Sequence, residues 1–230
     1  MKVYGIWLNV HWINKNMIRS TNYHPDWQHV RIDYIRSLYS NDFFKGKRVL
    51  ELGAYNGYIG SHIKEMGADV HCIEGRQDNV NRMKSWYPMV TVEQADLDRP
   101  DWIWGKWDVI INFGLFYHLE TFHKEHLVNC IKNCDLMLFE TVIYDTPIST
   151  LVFKEEENTE YNDQSLTGRA GIPSTKYVED IFKECEVDYK KIVDGCLNAK
   201  FHNYNWNDSD VEIPFNTTTW QRRFWIVKNK

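Results

Sequence analysis

The chain has 230 residues, 43% of them hydrophobic, enough to bury one sizeable core, so a single domain is the expectation. A net charge of -5 and an isoelectric point near 6.0 argue against an extended phosphate-binding face, which takes clustered Lys and Arg; a small-molecule partner is favoured over nucleic acid. Five cysteines, an odd number set mostly in apolar patterns, suit reduced core thiols and hence a reducing cytoplasm.

Lys2 to Trp12 is interrupted by Asn9 and His11 and is too short and polar for a signal peptide or a membrane span; it reads either as an added strand or as an arm over the core. From Pro25 onward, Trp27, Val30, Tyr34, Ile35 and Leu38 fall on one helical face, with Pro25 and Asp26 suited to the first turn. Val49, Leu50 and Leu52 then form a short buried strand, Gly53 and Gly57 permit a tight turn, and Ile59, Ile63 and Met66 recur at helical spacing. Strand, glycine loop and helix in that order predict a nucleotide-binding turn. A second apolar run, Val70 to Ile73, is closed by Glu74, 21 residues after Gly53, where an acidic residue meets a ribose diol.

A helix over Arg76 to Tyr87, ended by Pro88, and a third strand over Val90 to Asp96 extend the β-α-β-α-β alternation. Such alternation implies a parallel sheet with helices on both faces, and right-handed crossovers bring the loops after the strands to one edge, where ligands bind. Glu51, Glu74, Asp96 and Asn112 all end strands at that edge. Asp101 to Trp107 is rich in tryptophan, and one of Trp102, Trp104 and Trp107 either flanks a flat heterocycle or packs beneath the loop. The fourth strand, Trp107 to Phe113, leads through Gly114-Leu-Phe-Tyr-His-Leu119 to a helix carrying Leu127, Cys130, Ile131 and Cys134; Leu136 to Tyr144 is the fifth strand. His118, His123 and His126 lack the spacing of a helical zinc pair, and no second Cys/His pair accompanies Cys130 and Cys134, so no metal is expected.

The motifs Glu51-Leu-Gly-Ala-Tyr-Asn-Gly57, Glu74, Asp96 and Trp107-Asp-Val-Ile-Ile-Asn112 resemble those of class I S-adenosylmethionine-dependent methyltransferases across residues 46–144. The family's first motif carries a glycine where Tyr55 stands. Phe113 to Leu119 followed by Phe139-Glu-Thr141 is similar to a subgroup that contains tRNA wobble-uridine carboxymethyltransferases and various small-molecule methyltransferases. The resemblance implies an α/β, Rossmann-like fold: a seven-stranded, mostly parallel sheet with helices on both faces and an antiparallel C-terminal strand pair. It implies S-adenosylmethionine as cofactor and methyl transfer to oxygen or nitrogen of a small-molecule acceptor. The alternatives are a tRNA-modifying enzyme using a carboxylated cofactor analogue and a catalytically silent binding protein of the same fold.

The same resemblance assigns roles. Glu74 would accept the ribose hydroxyls and Asp96, with Leu97, the adenine amine. Glu51 would hold the methionine amino end or else brace the loop. Gly53, Ala54, Tyr55, Asn56 and Gly57 would approach the cofactor, with Asn112 and Gly114 completing its edge. Tyr23, His24, Trp27 and Arg31 are lid candidates, against a plain packing helix with an exposed arginine. His118 would act as base or orient the acceptor, or else simply pack, and Tyr117 and Glu140 would touch the acceptor.

Asp145 to Ile172 is a long polar connection of the lid or binding-loop kind, in which Arg169 either pairs with an anionic acceptor or is a surface arginine. Pro173-Ser174 opens a helix with Tyr177, Val178, Ile181, Phe182 and Cys185 on its apolar face. Val187 to Val193 and Trp220 to Lys228 fit the closing strand pair. Between them Tyr204 and Trp206, with Arg222 and Arg223, form a candidate second wall of the acceptor site. The expected division is therefore an arm and lid helix (1–45), a cofactor-binding core (46–144), an insert (145–172) and a C-terminal helix with its strand pair (173–230). The sequons at Asn207 and Asn216 carry no meaning in a reducing compartment.

Overall fold

Near-continuous apolar runs belong to strands covered on both faces, and the chain uses them so. The computed structural model describes residues 26–40, 42–99, 105–156, 164–213 and 220–229. The N-terminal strand or arm, Tyr23, His24, Trp102, Trp104 and the Asn216 sequon lie outside the described residues. In chain order the elements are α1 (Asp26–Leu38), β1 (Arg48–Leu52), α2 (Tyr58–Glu65), β2 (Asp69–Glu74), α3 (Gln77–Trp86), β3 (Thr91–Gln94), β4 (Trp107–Phe113), α4 (His123–Lys132), β5 (Cys134–Val142), β6 (Leu151–Glu155), β7 (Arg169–Pro173), α5 (Thr175–Glu184), β8 (Asp188–Ile192), β9 (His202–Asn203) and β10 (Trp220–Lys228).

The main sheet has the order β3-β2-β1-β4-β5-β10-β8, parallel from β3 to β5, with β10 antiparallel to both neighbours. These are the seven expected strands; the short β9 adds an eighth beside β10. Strand order reverses between β1 and β4, the crevice where open α/β sheets bind ligands. Alternation along the strands divides the core. On one face Val49, Val109, Ile111, Leu138 and Phe224 pack with Ile32 and Ile35 of α1 and Ile59 and Ile63 of α2. On the other, Leu50, Leu52, Ile110, Met137, Phe139 and Trp225 pack with Leu127 and Ile131 of α4 and Val178 and Phe182 of α5. Among the described residues no helix is long and apolar enough to cross a membrane, and no group of three His, Cys, Asp or Glu side chains could hold a metal ion.

Three boundaries differ from expectation. The insert is not a bare loop: β6 and β7 pair antiparallel in a separate two-stranded sheet, from Leu151 opposite Pro173 to Glu155 opposite Arg169. Pro173 therefore ends a strand, and α5 starts behind Ser174, whose Oγ accepts from the Tyr177 amide at 3.1 Å. Cys134 is the first residue of β5 rather than part of α4, because the helix ends at Lys132. The five cysteines are free thiols, Cys72, Cys130 and Cys134 buried among apolar side chains and Cys196 exposed.

His126 locks α4 to the sheet. Its Nδ1 donates to the Leu97 carbonyl (3.2 Å) and its Nε2 accepts from Asn112 Nδ2 (2.9 Å), which fixes a neutral ring. Burial, outweighing the pull of the Leu97 carbonyl, drives its pKa down to about 4. The unfolded chain thus binds more protons than the native one below the ordinary value of 6.5, so stability is lost as pH falls toward 4. Urea unfolding should show His126 contributing roughly 3 kcal/mol of that loss. A His126→Gln variant should lose this part of the slope, and an unchanged slope would refute the assignment.

Candidate active site

After β1 the chain turns through Gly53 (φ 65°) and then through Tyr55 (φ 51°), a left-handed conformation that costs a non-glycine residue roughly 1–2 kcal/mol. The position where the family has glycine thus keeps a glycine-like backbone while carrying a tyrosine. Hydrogen bonds hold it there. Gly53 and Ala54 both donate to the Ile73 carbonyl (2.9 and 3.2 Å), and the Tyr55 amide donates to Glu74 Oε2 (2.8 Å). The other oxygen of Glu74 accepts from the Arg76 amide (2.9 Å) and from Asn79 Nδ2 (3.4 Å). Burial raises the Glu74 pKa, against the opposing pull of those amides.

Above this loop lies a cleft of about 850 Å³, counting the part open to solvent, at the C-terminal ends of β1, β2 and β4. Of the expected cofactor residues, Gly53, Tyr55, Glu74, Asp96, Leu97 and Gly114 line it; Glu51, Ala54, Asn56, Gly57 and Asn112 do not. Side-chain parity explains two absences. Glu51 projects onto the α2 face, where Oε2 accepts from the Cys72 thiol (3.2 Å) and lies 2.5 Å from where a Cβ on Gly60 would stand. Burial pushes its pKa up to about 7, and its contacts are those of a brace beneath the loop. Asn112, one residue out of phase, faces α4 and His126. Asn56 turns to α1, accepting from Gln28 Nε2 at 2.8 Å, and also accepts from the Tyr58 amide at 3.1 Å.

The facing wall is built around Glu140. Arg31 of α1 is 2% exposed, which overturns the exposed-arginine alternative. Its Nη2 donates to Glu140 Oε2, while Arg222 Nη1 donates to Oε1 (2.8 Å), which also accepts from Tyr204 Oη (3.1 Å). Arg222 Nη2 donates onward to Tyr117 Oη (3.1 Å), and the Arg31 guanidinium stacks over Trp27, 4.2 Å from its ring centroid. Burial would raise the Glu140 carboxyl, but Arg222 and Arg31 outweigh it and hold the pKa below the usual range. Arg31, Arg222, Tyr117, Trp27 and His202 line the cleft, whereas Glu140 and Tyr204 stand behind them. Burial, then Arg222 and Arg31, force the His202 pKa well below 6.5, so the wall carries two guanidinium charges against one carboxylate.

The remaining expected acceptor residues lie elsewhere. Trp206 donates Nε1 to the Arg222 carbonyl (3.0 Å) and stacks with Arg223, which parity turns to the opposite face to pair with Asp208 (3.0 Å). Arg169 is a surface arginine paired with Glu120 (2.8 Å) and Glu155 (3.2 Å). Instead of Arg169 the insert contributes Gln164 to Thr167, tied down by Arg76 Nη2, which donates to the Gln164 and Ser165 carbonyls (3.1 and 2.8 Å). Leu166 closes over Gly75, its Cδ1 only 2.7 Å from where a Cβ would stand. His118 lines the cleft, with Nδ1 2.9 Å from Glu156 Oε1. Sequence reading missed Asp98, whose carboxylate accepts from the Glu120 and Thr121 amides (3.0 and 2.9 Å), as well as His202, Leu166 and Glu156. None of the four sits in a periodic segment.

No family model matches the chain. In sequence it is 29% identical over 149 residues to the tRNA U34 carboxymethyltransferase of Pseudomonas putida and 24% identical over 151 residues to that of Azotobacter vinelandii. These alignments take in 60% and 59% of this chain but 41% and 43% of those proteins, so the chain spans about two-fifths of the length of the curated relatives it matches. In structure it is similar to the N-terminal domain of EvdMO1 with SAH bound (TM-score 0.59, 16% identity, 86% of this chain and 80% of that one). It is also similar to an S-adenosylmethionine-dependent methyltransferase from Mesorhizobium loti (0.60, 12%, 87% and 98%) and to magnesium protoporphyrin IX methyltransferase from Synechocystis with bound SAM (0.59, 11%, 96% and 92%). The fold is that of class I S-adenosylmethionine-dependent methyltransferases.

Removing Glu140 leaves two buried guanidinium groups without their shared counter-ion. Glu140→Ala should lose about 3–5 kcal/mol in urea unfolding at neutral pH. A loss below about 1 kcal/mol would mean that the wall does not depend on this carboxylate.

Proposed function

We propose that the chain is an S-adenosylmethionine-dependent methyltransferase acting on oxygen or nitrogen of a small-molecule acceptor. The observation that carries this reading is Glu74: a buried carboxylate at the end of β2, braced by the Tyr55 and Arg76 amides and opening on the cleft at the strand-order reversal. A carboxylate so held keeps an acceptor position on Oε2 for a ribose hydroxyl. In this reading Asp96 and Leu97, which line the same cleft, serve the adenine, and Gly53, Tyr55 and Gly114 the methionine end. The amides of Gly53, Ala54 and Tyr55 are already engaged, so the loop supplies shape rather than donors. When bound, the cofactor supplies an electrophilic methyl group on a positively charged sulfur. The chain's part is then to hold the acceptor in line, a contribution of up to about 7–11 kcal/mol, and His118 is the base for a protic acceptor. Arg31, Arg222 and Tyr117 suit an anionic group on that acceptor.

A second reading is carboxymethyl transfer to tRNA. The same surplus of guanidinium charge suits a carboxylated cofactor analogue, and the sequence relatives are named for that activity. Against it stands the net charge of -5, which disfavours a polyanionic partner. Free cysteines fit a reducing, cytoplasmic setting under either reading.

A thermal-shift panel with S-adenosylmethionine, S-adenosylhomocysteine, the carboxylated analogue and NAD separates these readings. At about 100 times Kd, binding adds about 2.7 kcal/mol and raises Tm by several degrees. Stabilisation by the first two is expected; preference for the analogue would favour the tRNA reading, and no shift with any ligand would leave a silent, partner-binding protein. Glu74→Gln keeps the bulk of the side chain but removes its charge, and calorimetry should show S-adenosylhomocysteine affinity falling at least about tenfold. Unchanged affinity would remove the ribose role.

A further inference from the structure

His118 ends a 3-10 turn (Phe116–His118) between β4 and α4 and lines the cleft. Its Nδ1 points away from the cleft lining, to Glu156 just beyond β6, and the two side chains are 12% and 11% exposed. At 2.9 Å they stand at ion-pair distance, short of the alignment of a full hydrogen bond, as catalytic pairs often do before a substrate closes the site. Glu156 is itself fixed from two sides. Its Oε2 accepts from the Ser165 amide (2.6 Å) and its own amide donates to the Gly168 carbonyl (2.8 Å), so the base of the hairpin aims the carboxylate. Burial works to raise the Glu156 pKa, but His118 and the Ser165 amide outweigh it and bring it below the usual range, so the group is an anion.

Resting on the methyl-transfer reading above, we propose that Glu156 is a positioning residue for His118: it holds the ring proton on Nδ1, presents the Nε2 lone pair to the cleft, and so selects an acceptor whose nucleophile carries a proton, a hydroxyl or an N–H. In the proton step the acceptor's X–H bond breaks, its electron pair stays on X for the bond to the methyl, and the proton passes to Nε2; the donor's S–CH3 bond would break in exchange, its pair remaining on sulfur as a neutral thioether. The imidazolium charge then sits beside the Glu156 carboxylate, which stabilises it. An acceptor attacking through an ionised carboxylate has no proton to give and no use for this arrangement. Ser165 adds a coupling, because the residue whose amide aims Glu156 also gives its carbonyl to Arg76, two residues after Glu74.

Long-range nitrogen NMR on uniformly labelled protein tests this without any acceptor. At about pH 9, well above the range of an ordinary imidazole, His118, assigned by comparison with His118→Gln, should show the Nδ1–H tautomer. In Glu156→Gln the population ratio of that tautomer should fall about tenfold, because a neutral amide no longer draws the ring proton to the nitrogen that faces it. Should that variant fail to fold, Glu156→Asp, which draws the charge back from Nδ1, reads the same change. A wild-type ring carrying its proton on Nε2, or a ratio unmoved in the variants, would overturn the proposal. Calorimetry with S-adenosylhomocysteine on the same samples keeps the two levels apart. Binding with an unmoved ratio overturns the Glu156 role alone; a moved ratio without binding upholds the positioning role and overturns the methyl-transfer reading beneath it.

Discussion

One buried carboxylate between two guanidinium groups sets the geometry of the acceptor wall. Glu140 lies near the end of β5, Arg31 comes from α1, Arg222 from β10 and Tyr204 from the loop after β9, and Glu140 accepts from all three. Against an apolar replacement, buried ion pairs add little net stability, since desolvation consumes the Coulomb gain. Their yield here is positional. Apolar packing through Ile32 and Ile35 would hold α1 against the sheet in several rotations about its axis; a fork of donors aimed at one carboxylate admits far fewer. Trp27, carried on the same turn of helix, thereby becomes part of the cleft lining.

The opposite side of the cleft is held by a hydrogen-bonded path rather than by a cluster. It runs from the Tyr55 amide to Glu74, from Glu74 to the Arg76 amide, from the Arg76 side chain to the Ser165 carbonyl, and from the Ser165 amide to Glu156 beside His118. The path ties the glycine loop, the turn after β2 and the insert to one another. A main sheet rigid through its central parallel strands and a ligand edge tied by polar contacts is the arrangement expected where function sits on loops.

The sheet and its ligand edge were legible because buried parallel strands read as apolar runs and each run ends in a turn signal. Glu74 was legible for the same reason. Which face Glu51 and Asn112 occupy was not, since both faces of β1 and β4 are covered by helices and the apolar pattern gives no sign of which one meets the cleft. Arg31 had a visible signal that the reading passed over: it lies four residues from both Trp27 and Ile35, on the buried stripe of α1, where an arginine requires a counter-ion. The hairpin of β6 and β7 left no alternation because it forms a two-stranded sheet of its own, with β6 largely exposed. The pairing of His118 with Glu156 joins separate segments across the fold and leaves no mark in either.

Tyr55 shows that the turn after β1 is defined by a backbone shape more than by an amino acid. Its left-handed φ is secured by a hydrogen bond from its amide to Glu74, and the residue lines the cleft. Within such a motif, glycine is then one solution to a conformational problem, and an anchored amide is another. A bulky aromatic can then stand at a cleft-lining position while the strand, the turn and the acidic anchor beside it keep their places.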